Sequence, residues 1–142
     1  MSNCRICDRP LTPKLKLGKK THCKVCHRYS TYKEDEIQME FFQKLHNTDN
    51  EVLKALVHHI PNGGKGGAKG DKNQKLGVKA GVWDICIPLN PLIYIEFKTF
   101  TGRLSKEQIT FKDNVLKVNP TVRFLVFRSP TVALKEILCL IG

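Results

Sequence analysis

Apolar residues recur at helical spacing in several parts of this 142-residue chain. The first such segment carries Ile37, Phe41 and Leu45 at intervals of four residues, which lines one face of a helix. The third begins at Ser105, an N-cap residue followed three positions later by Gln108, the pattern of a capping box. The pattern predicts four helices, over residues 33–46, 51–59, 105–118 and 131–140.

Alternating or continuous apolar residues predict three strands, over residues 81–87, 92–98 and 121–127. Side chains alternate between faces along a strand, so Glu96 and Lys98 point the same way beside a mostly apolar run. A short turn can bring Asp84 of the preceding strand alongside them. A Glu-x-Lys pair is also common as a solvated ion pair on an open sheet face. The order of elements predicts an α/β domain with a central mixed sheet flanked by helices, and residues 63–79, rich in glycine and lysine, predict a loop.

Four of the six cysteines stand in two Cys-x-x-Cys pairs, Cys4 with Cys7 and Cys23 with Cys26. Each pair can place both sulfurs on one ion, and two such pairs complete a closed, structural Cys₄ zinc site. A segment of about thirty residues cannot bury a sufficient core, so the metal must supply folding free energy. We therefore predict a zinc-binding module over residues 1–32 and a second domain over residues 33–142.

Positive charge is concentrated at the start of the chain. The formal net charge is +11, and residues 1–33 contribute +8 of it, because they contain nine lysines and arginines against Asp8. Charge of this sign favours a polyanionic partner, most often nucleic acid. No secretory signal and no stretch of membrane-spanning length is present, so we expect an intracellular protein without a membrane partner.

From Pro61 onward, a series of short motifs follows in one order: Pro61-Asn62-Gly63-Gly64, Leu76 to Asp84, Ile95 to Lys98, Gly102 to Ser105, and Gln108. Over roughly residues 34–138, this series resembles the VRR-nuc branch of the PD-(D/E)xK nucleases, in its small, phage-like form. The zinc module lies outside the resemblance. The family commonly has proline before its metal-binding aspartate, and this chain has Trp83 there. A phage-encoded protein would act in the cytoplasm of a bacterial host.

The resemblance implies a PD-(D/E)xK nuclease core and a Mg²⁺- or Mn²⁺-dependent DNA endonuclease. Asp84 and Glu96 would be metal ligands, with the carbonyl of Phe97 as a third. Lys98 would orient or help deprotonate the attacking water and offset the charge of the transition state. Gln108 matches a position that supports the active site, although it could equally serve only the capping box.

The family also places a further carboxylate on the first helix, where Glu34, Glu36 and Glu40 are candidates. Glu34 falls on the face of Ile37 and Phe41, one turn earlier, and is therefore our prediction. The alternative is that Glu34 is an acidic residue favoured at a helix N-terminus by the helix dipole.

The predicted loop provides candidate DNA contacts at Asn62, Lys65, Lys69, Lys72 and Lys75. Such lysines can bind phosphates without reading bases, although an ordinary loop, with Asn62 forming its turn, would look the same. The resemblance further implies branched or flapped DNA as the substrate and a homodimer as the acting form. The alternative function is a nucleic-acid-binding or architectural module whose catalytic pocket is unused.

Overall fold

The structure is a computed structural model, and it describes residues 3–7, 23–61 and 67–141, without the side chains of residues 67–70. Its helices are α1 (Lys24–His27), α2 (Glu34–His46), α3 (Glu51–Leu56), α4 (Gly67–Lys75), α5 (Lys106–Val118) and α6 (Pro130–Ile141). Its strands are β1 (His58–His59), β2 (Ile85–Ile87), β3 (Ile93–Phe97) and β4 (Arg123–Phe127).

The strands of the described residues form one sheet in the order β1-β2-β3-β4. Strand β2 runs antiparallel to both β1 and β3. The amide of Arg123 donates to the carbonyl of Leu92 at 2.9 Å, and the amide of Lys98 donates to the carbonyl of Phe127 at 3.0 Å. Residue numbers rise together along these two strands, so β3 and β4 run parallel. The predicted mixed sheet with flanking helices is therefore confirmed.

The chain forms two compact units. The first, here called the cysteine-helix unit, comprises residues 1–49, 97–103 and 127–142. The second, here called the sheet unit, comprises residues 50–96 and 104–126. The division predicted between residues 32 and 33 concerns independent domains and stays a prediction.

Helices α2 and α6 pack against each other in the cysteine-helix unit. The predicted stripe on α2 is buried, and Phe41 lies with its ring centroid 5.2 Å from that of Phe97. Helix α6 buries Ala133 and Ile137. Helix α6 is apolar but spans only 12 residues. Within the described ranges, no helix is both long enough and apolar enough to cross a membrane.

Aromatic rings fill one face of the sheet unit. Tyr94 stacks on Phe124 with ring centroids 5.2 Å apart, and Phe111 of α5 meets Tyr94 edge-on at 5.4 Å. Strand geometry puts Tyr94 and Glu96 on the same face of β3. Helix α5 therefore covers the face of the strand that carries Glu96.

The second predicted helix ends earlier than expected. It was predicted over residues 51–59, but α3 ends at Leu56, and His58 and His59 form strand β1 opposite Cys86 and Ile85. Pairing with a strand more than 20 residues away in the chain decides the conformation here, which local periodicity cannot reveal.

The predicted loop over residues 63–79 contains helix α4, so this part of the prediction is wrong. Gly67 and Gly70 had favoured a loop, because glycine is a poor helix former. Residues 71–75 between Gly70 and Leu76 include lysine and glutamine, which are good helix formers and continue the helix to Lys75.

Candidate functional site

Glu96 is a deeply buried carboxylate at the end of β3. Its side chain is 1% exposed, and each of its oxygens accepts a hydrogen bond. Gln108 Nε2 donates to Oε1 at 2.7 Å, and the amide of Asp84 donates to Oε2 at 3.1 Å. A buried carboxylate requires such partners, since desolvation otherwise penalises its charge. The structure thus brings together three residues that the sequence had singled out.

The backbone of Asp84 is fixed by the neighbouring edge of the sheet. Its carbonyl accepts from the amide of Ile60 at 2.6 Å and from His59 Nδ1 at 3.0 Å. Asp84 itself is half-buried, immediately before β2. The sequence reasoning missed His59, and its place three residues before the Asn62 motif is the only signal that could have indicated it.

Gln108 makes the contacts of the predicted capping box and also contacts Glu96. Its side-chain Oε1 accepts a hydrogen bond from the backbone amide of Ser105 at 2.8 Å. The backbone amide of Gln108 donates to Ser105 Oγ at 3.1 Å, and the two bonds together form the capping box of α5. Its Nε2 simultaneously donates to Glu96. The two interpretations are therefore compatible, because the two ends of one amide group serve different partners. A role for Gln108 in activity stays a prediction.

The segment before Asp84 lies directly against the first turn of α5. Gly81 has a φ of +84°, and a Cβ there would lie 2.3 Å from the backbone of Glu107, so only glycine fits. Two residues later, Trp83 Nε1 donates to the carbonyl of Gln108 at 3.1 Å. The sequence noted Trp83 only as a departure from the family pattern, and its contact with α5 was not foreseen.

Lys98 is buried in the cysteine-helix unit and paired with the predicted helix carboxylate. Its side chain is 9% exposed, and Nζ lies 3.5 Å from Glu34 Oε1. Glu36 instead accepts from the amide of Lys33 at 2.9 Å, and Glu40 pairs with Arg28 at 3.4 Å. The face argument therefore selected the glutamate that contacts the lysine. Its part in catalysis stays a prediction.

The turn that follows Lys98 is tightly held within the same unit. Arg128 Nη1 donates to the carbonyl of Thr99 and, at 2.7 Å, to the carbonyl of Gly102. A Cβ on Gly102 would lie 3.3 Å from Glu34 Oε1 and 2.9 Å from Thr99 Oγ1. The turn thus packs closely against the carboxylate that contacts Lys98.

Asp84 and Glu96 carry carboxylate oxygens, the type of ligand that Mg²⁺ and Mn²⁺ prefer. Within the described ranges, a group of three or more potential ligand side chains occurs only among the cysteines. Mg²⁺ keeps several waters and takes one or two carboxylates together with substrate phosphates, so a third side-chain ligand is not required. Hard oxygen donors also favour Mg²⁺ and Mn²⁺ over zinc. The chemistry of these two carboxylates is compatible with the predicted catalytic metal, and its binding stays a prediction.

The four cysteines of the two predicted pairs lie close together. The sulfurs of Cys4, Cys7, Cys23 and Cys26 all lie within 4.8 Å of one another, and Cys7 Sγ is 3.6 Å from Cys23 Sγ. Zinc–sulfur bonds of about 2.3 Å in a tetrahedral site place sulfurs about 3.8 Å apart. The four thiols are not joined in disulfides. The predicted cysteines are thus gathered where they could hold one metal ion such as zinc.

The thiols influence one another's ionisation. Burial opposes ionisation of Cys4, but backbone amides at Cys23, Ile6 and Cys7 outweigh it and lower the pKa of Cys4 to about 7. Burial, the thiols of Cys7 and Cys23, and the negative charge of neighbouring thiolates together raise the pKa of Cys26. A divalent cation relieves this repulsion, because it stabilises every thiolate that binds it.

The cysteines pack against residues far along the chain. Phe100 and Val132 pack against the buried residues Cys4, Cys23 and Cys26. Phe100 comes two residues after Lys98, and Val132 lies on α6. The cluster therefore shares a hydrophobic core with the turn that follows Lys98.

The structure describes only some of the candidate DNA-contacting residues. Asn62 and Lys65 are outside the described residues, as is the side chain of Lys69. Lys72 and Lys75 are exposed on α4. Their proposed contact with phosphates stays a prediction.

Replacing Cys26 tests the zinc site. We expect wild-type protein to contain about one zinc per chain, and Cys26→Ser to lose it and unfold at a lower temperature, because three thiolates close the site poorly. Cys139→Ser is the matched control, since Cys139 is exposed on α6 and outside the cluster. Elemental analysis and thermal denaturation provide the measurements. Well-folded wild-type protein without zinc would contradict the assignment.

Comparing Gln108→Leu with Ser105→Ala separates the two roles of Gln108. Ser105→Ala removes only the cap, at about 1 kcal/mol of unfolding free energy. Gln108→Leu also removes a donor from the buried carboxylate of Glu96, so we expect a further loss of about 1–3 kcal/mol. Urea denaturation measures both. Equal losses in the two variants would show that the bond to Glu96 contributes nothing to stability.

Comparison with known proteins identifies the fold. No protein-family model matches this sequence, and no curated protein matches it. Among solved structures, a protein described as a VRR_NUC domain protein is similar, with a TM-score of 0.57 and 19% sequence identity. The match covers 73% of this chain and 85% of that one. At this identity the likeness concerns the fold, and the chain therefore has a VRR-nuc-like fold.

Proposed function

We propose that this protein is a metal-dependent DNA endonuclease that hydrolyses phosphodiester bonds in branched DNA, such as four-way junctions or flaps. The observation that carries the proposal is the environment of Glu96. Its carboxylate is buried and held through both oxygens by Asp84 and Gln108, in a chain with a VRR-nuc-like fold. A nuclease needs such a fixed carboxylate to hold a cation at a phosphate.

The side chains can be assigned complementary tasks. Asp84, Glu96 and the carbonyl of Phe97 would hold Mg²⁺ or Mn²⁺, which when bound acidifies water and offsets phosphate charge. Lys98 would orient the attacking water and stabilise negative charge as it develops on the phosphate. Glu34 keeps the ammonium group of Lys98 in place, with 3.5 Å between the charged atoms. Gln108 keeps the carboxylate of Glu96 oriented.

The charge of the chain supports DNA as the substrate. The net charge is +11, and +8 of it falls within residues 1–33, which also hold the four clustered cysteines. Lysines and arginines that neutralise phosphates supply affinity that is independent of sequence. In the sheet unit, Lys72 and Lys75 on α4 are exposed and are further candidates for contact with phosphates. Recognition through phosphates suits an enzyme that selects DNA by its shape.

We further propose that the enzyme acts as a homodimer. Cleaving both strands of a symmetric junction requires two active sites, and a two-fold symmetric dimer supplies them. This part of the proposal rests on the resemblance to small VRR-nuc nucleases.

Single substitutions test the catalytic assignment. We expect Asp84→Asn, Glu96→Gln and Lys98→Ala each to lower the cleavage rate at least about 100-fold, because each removes charge that acts on the transition state. DNA binding should survive or tighten in the two carboxylate variants, which lose negative charge. Asp113→Asn, which alters an exposed acid on α5, is the control that should cut normally.

The assay uses labelled single-stranded, duplex, flap and four-way-junction DNA with Mg²⁺, Mn²⁺ or EDTA. We expect cleavage with either metal and none in EDTA. Rates like those of wild type in any of the three variants would refute the assignment. Wild-type protein that binds these DNAs but cuts none of them would instead identify a binding module with an unused pocket.

Substitutions on α2 test the role of Glu34. Glu34→Gln keeps the size of the side chain but removes the charge beside Lys98, and we expect cleavage to fall about 10-fold. Glu36→Gln and Glu40→Gln are matched controls on the same helix. Glu36 accepts from the amide of Lys33, and Glu40 pairs with Arg28. Normal cleavage by Glu34→Gln together with loss in either control would show that the wrong glutamate was chosen.

A further inference from the structure

Trp83 stands where the resembling family commonly has proline, immediately before Asp84. It is the sole tryptophan of the chain, and its side chain is 1% exposed. A proline here would restrict its own φ and could donate no hydrogen bond. Trp83 instead donates from Nε1 to the carbonyl of Gln108 at 3.1 Å. The substitution therefore replaces a local backbone restraint with a bond to α5.

This bond closes a ring around the buried carboxylate. Asp84, joined to Trp83 by a peptide bond, donates to Glu96 Oε2 at 3.1 Å. Gln108, bound by Trp83 through its carbonyl, donates from its side chain to Glu96 Oε1 at 2.7 Å. Both donors on the carboxylate are thus tied to each other through the indole. A shift of α5 away from Trp83 would move the amide of Gln108 away from Glu96.

The indole is itself held in place by packing. Its ring meets Phe124 edge-on with centroids 4.9 Å apart. Gly81 allows the segment before Trp83 to approach the backbone of Glu107. A donor fixed by such contacts loses little further freedom on forming its bond, so the link to Gln108 is rigid.

We propose that Trp83 is a positioning residue that fixes the two donors on Glu96 and thereby sets the affinity of the Asp84–Glu96 site for its divalent cation. This inference rests on the proposed function, because the divalent cation is the one that the proposed nuclease would bind. Residues that orient metal ligands through hydrogen bonds change metal affinity when they are replaced. Trp83 acts through Gln108 and the backbone of Asp84, and it touches neither substrate nor metal.

Because Trp83 is the sole tryptophan, a tryptophan analogue incorporated during biosynthesis changes this residue alone. Biosynthetic replacement of tryptophan by β-(3-benzothienyl)alanine keeps the ring size and removes the N–H donor. Replacement by 5-fluorotryptophan keeps the donor and is the matched control. We expect the benzothienyl protein to require about 3- to 10-fold more Mg²⁺ for its half-maximal cleavage rate. Its rate at saturating Mg²⁺ should stay within about twofold of the control, because no group that acts on the phosphate is lost.

Conventional variants provide an independent comparison. Trp83→Phe should raise the half-saturating Mg²⁺ concentration as the benzothienyl analogue does. Val122→Ala truncates a buried residue of the same unit with no part in the ring of hydrogen bonds. It should lower the unfolding temperature without changing the metal requirement. A metal requirement that rises equally in Val122→Ala would show that general destabilisation, and not the indole donor, is responsible.

A measurement without metal or DNA separates this inference from the proposed function. In the control protein, the side-chain amide protons of Gln108 should exchange slowly with solvent, as followed by nuclear magnetic resonance. In the benzothienyl protein they should exchange at least about threefold faster. Equal exchange rates, or equal Mg²⁺ requirements in a protein that cleaves, would overturn the role of Trp83. Absence of cleavage by wild type in every metal would refute the nuclease proposal, and the exchange rates would still decide whether Trp83 positions Gln108.

Discussion

Burial of the Glu96 carboxylate is the constraint on which the sheet unit depends. A charge removed from water is destabilising unless fixed donors compensate it. The donors come from opposite directions in the chain: the amide of Asp84 before β2 and the side chain of Gln108 on α5. Several local features, including the cap at Ser105 and the close approach at Gly81, keep these donors in place. The local contacts of this region therefore stabilise one orientation of the Glu96 carboxylate.

The pair formed by Glu34 and Lys98 follows a different physical logic. Lys98 is 9% exposed, but Glu34 is 41% exposed, so solvent screens the pair and its contribution to stability is small. What the contact provides is orientation, because a flexible lysine side chain loses its alternative directions when it is buried beside a carboxylate. The nearby turn, held by Arg128 and Gly102, limits these directions further. In the sheet unit hydrogen bonds hold the charge of Glu96, and in the cysteine-helix unit a partly exposed ion pair orients Lys98.

Features that depend on local periodicity could be predicted from the sequence. The buried stripe of α2, the cap of α5 and the paired cysteines all follow from residue spacing. Features that depend on distant partners could not. His58 and His59 form a strand because β2 lies beside them. Trp83 donates its hydrogen bond to the carbonyl of Gln108, which is 25 residues away in the chain. Helix α4 escaped prediction for the opposite reason, since its two glycines outweighed its good helix formers in a purely local assessment.

The packing of Phe100 and Val132 against the clustered cysteines has a consequence for how this chain can be divided. A fragment that begins after residue 32 would lack Cys4, Cys23 and Cys26 and would leave both apolar side chains exposed to water. Newly exposed apolar surface favours self-association. Polar substitutions at positions 100 and 132 would therefore be expected to reduce the self-association of such a fragment. Phe100 and Val132 therefore connect the cysteine cluster to the turn after Lys98 and to α6 within one hydrophobic core.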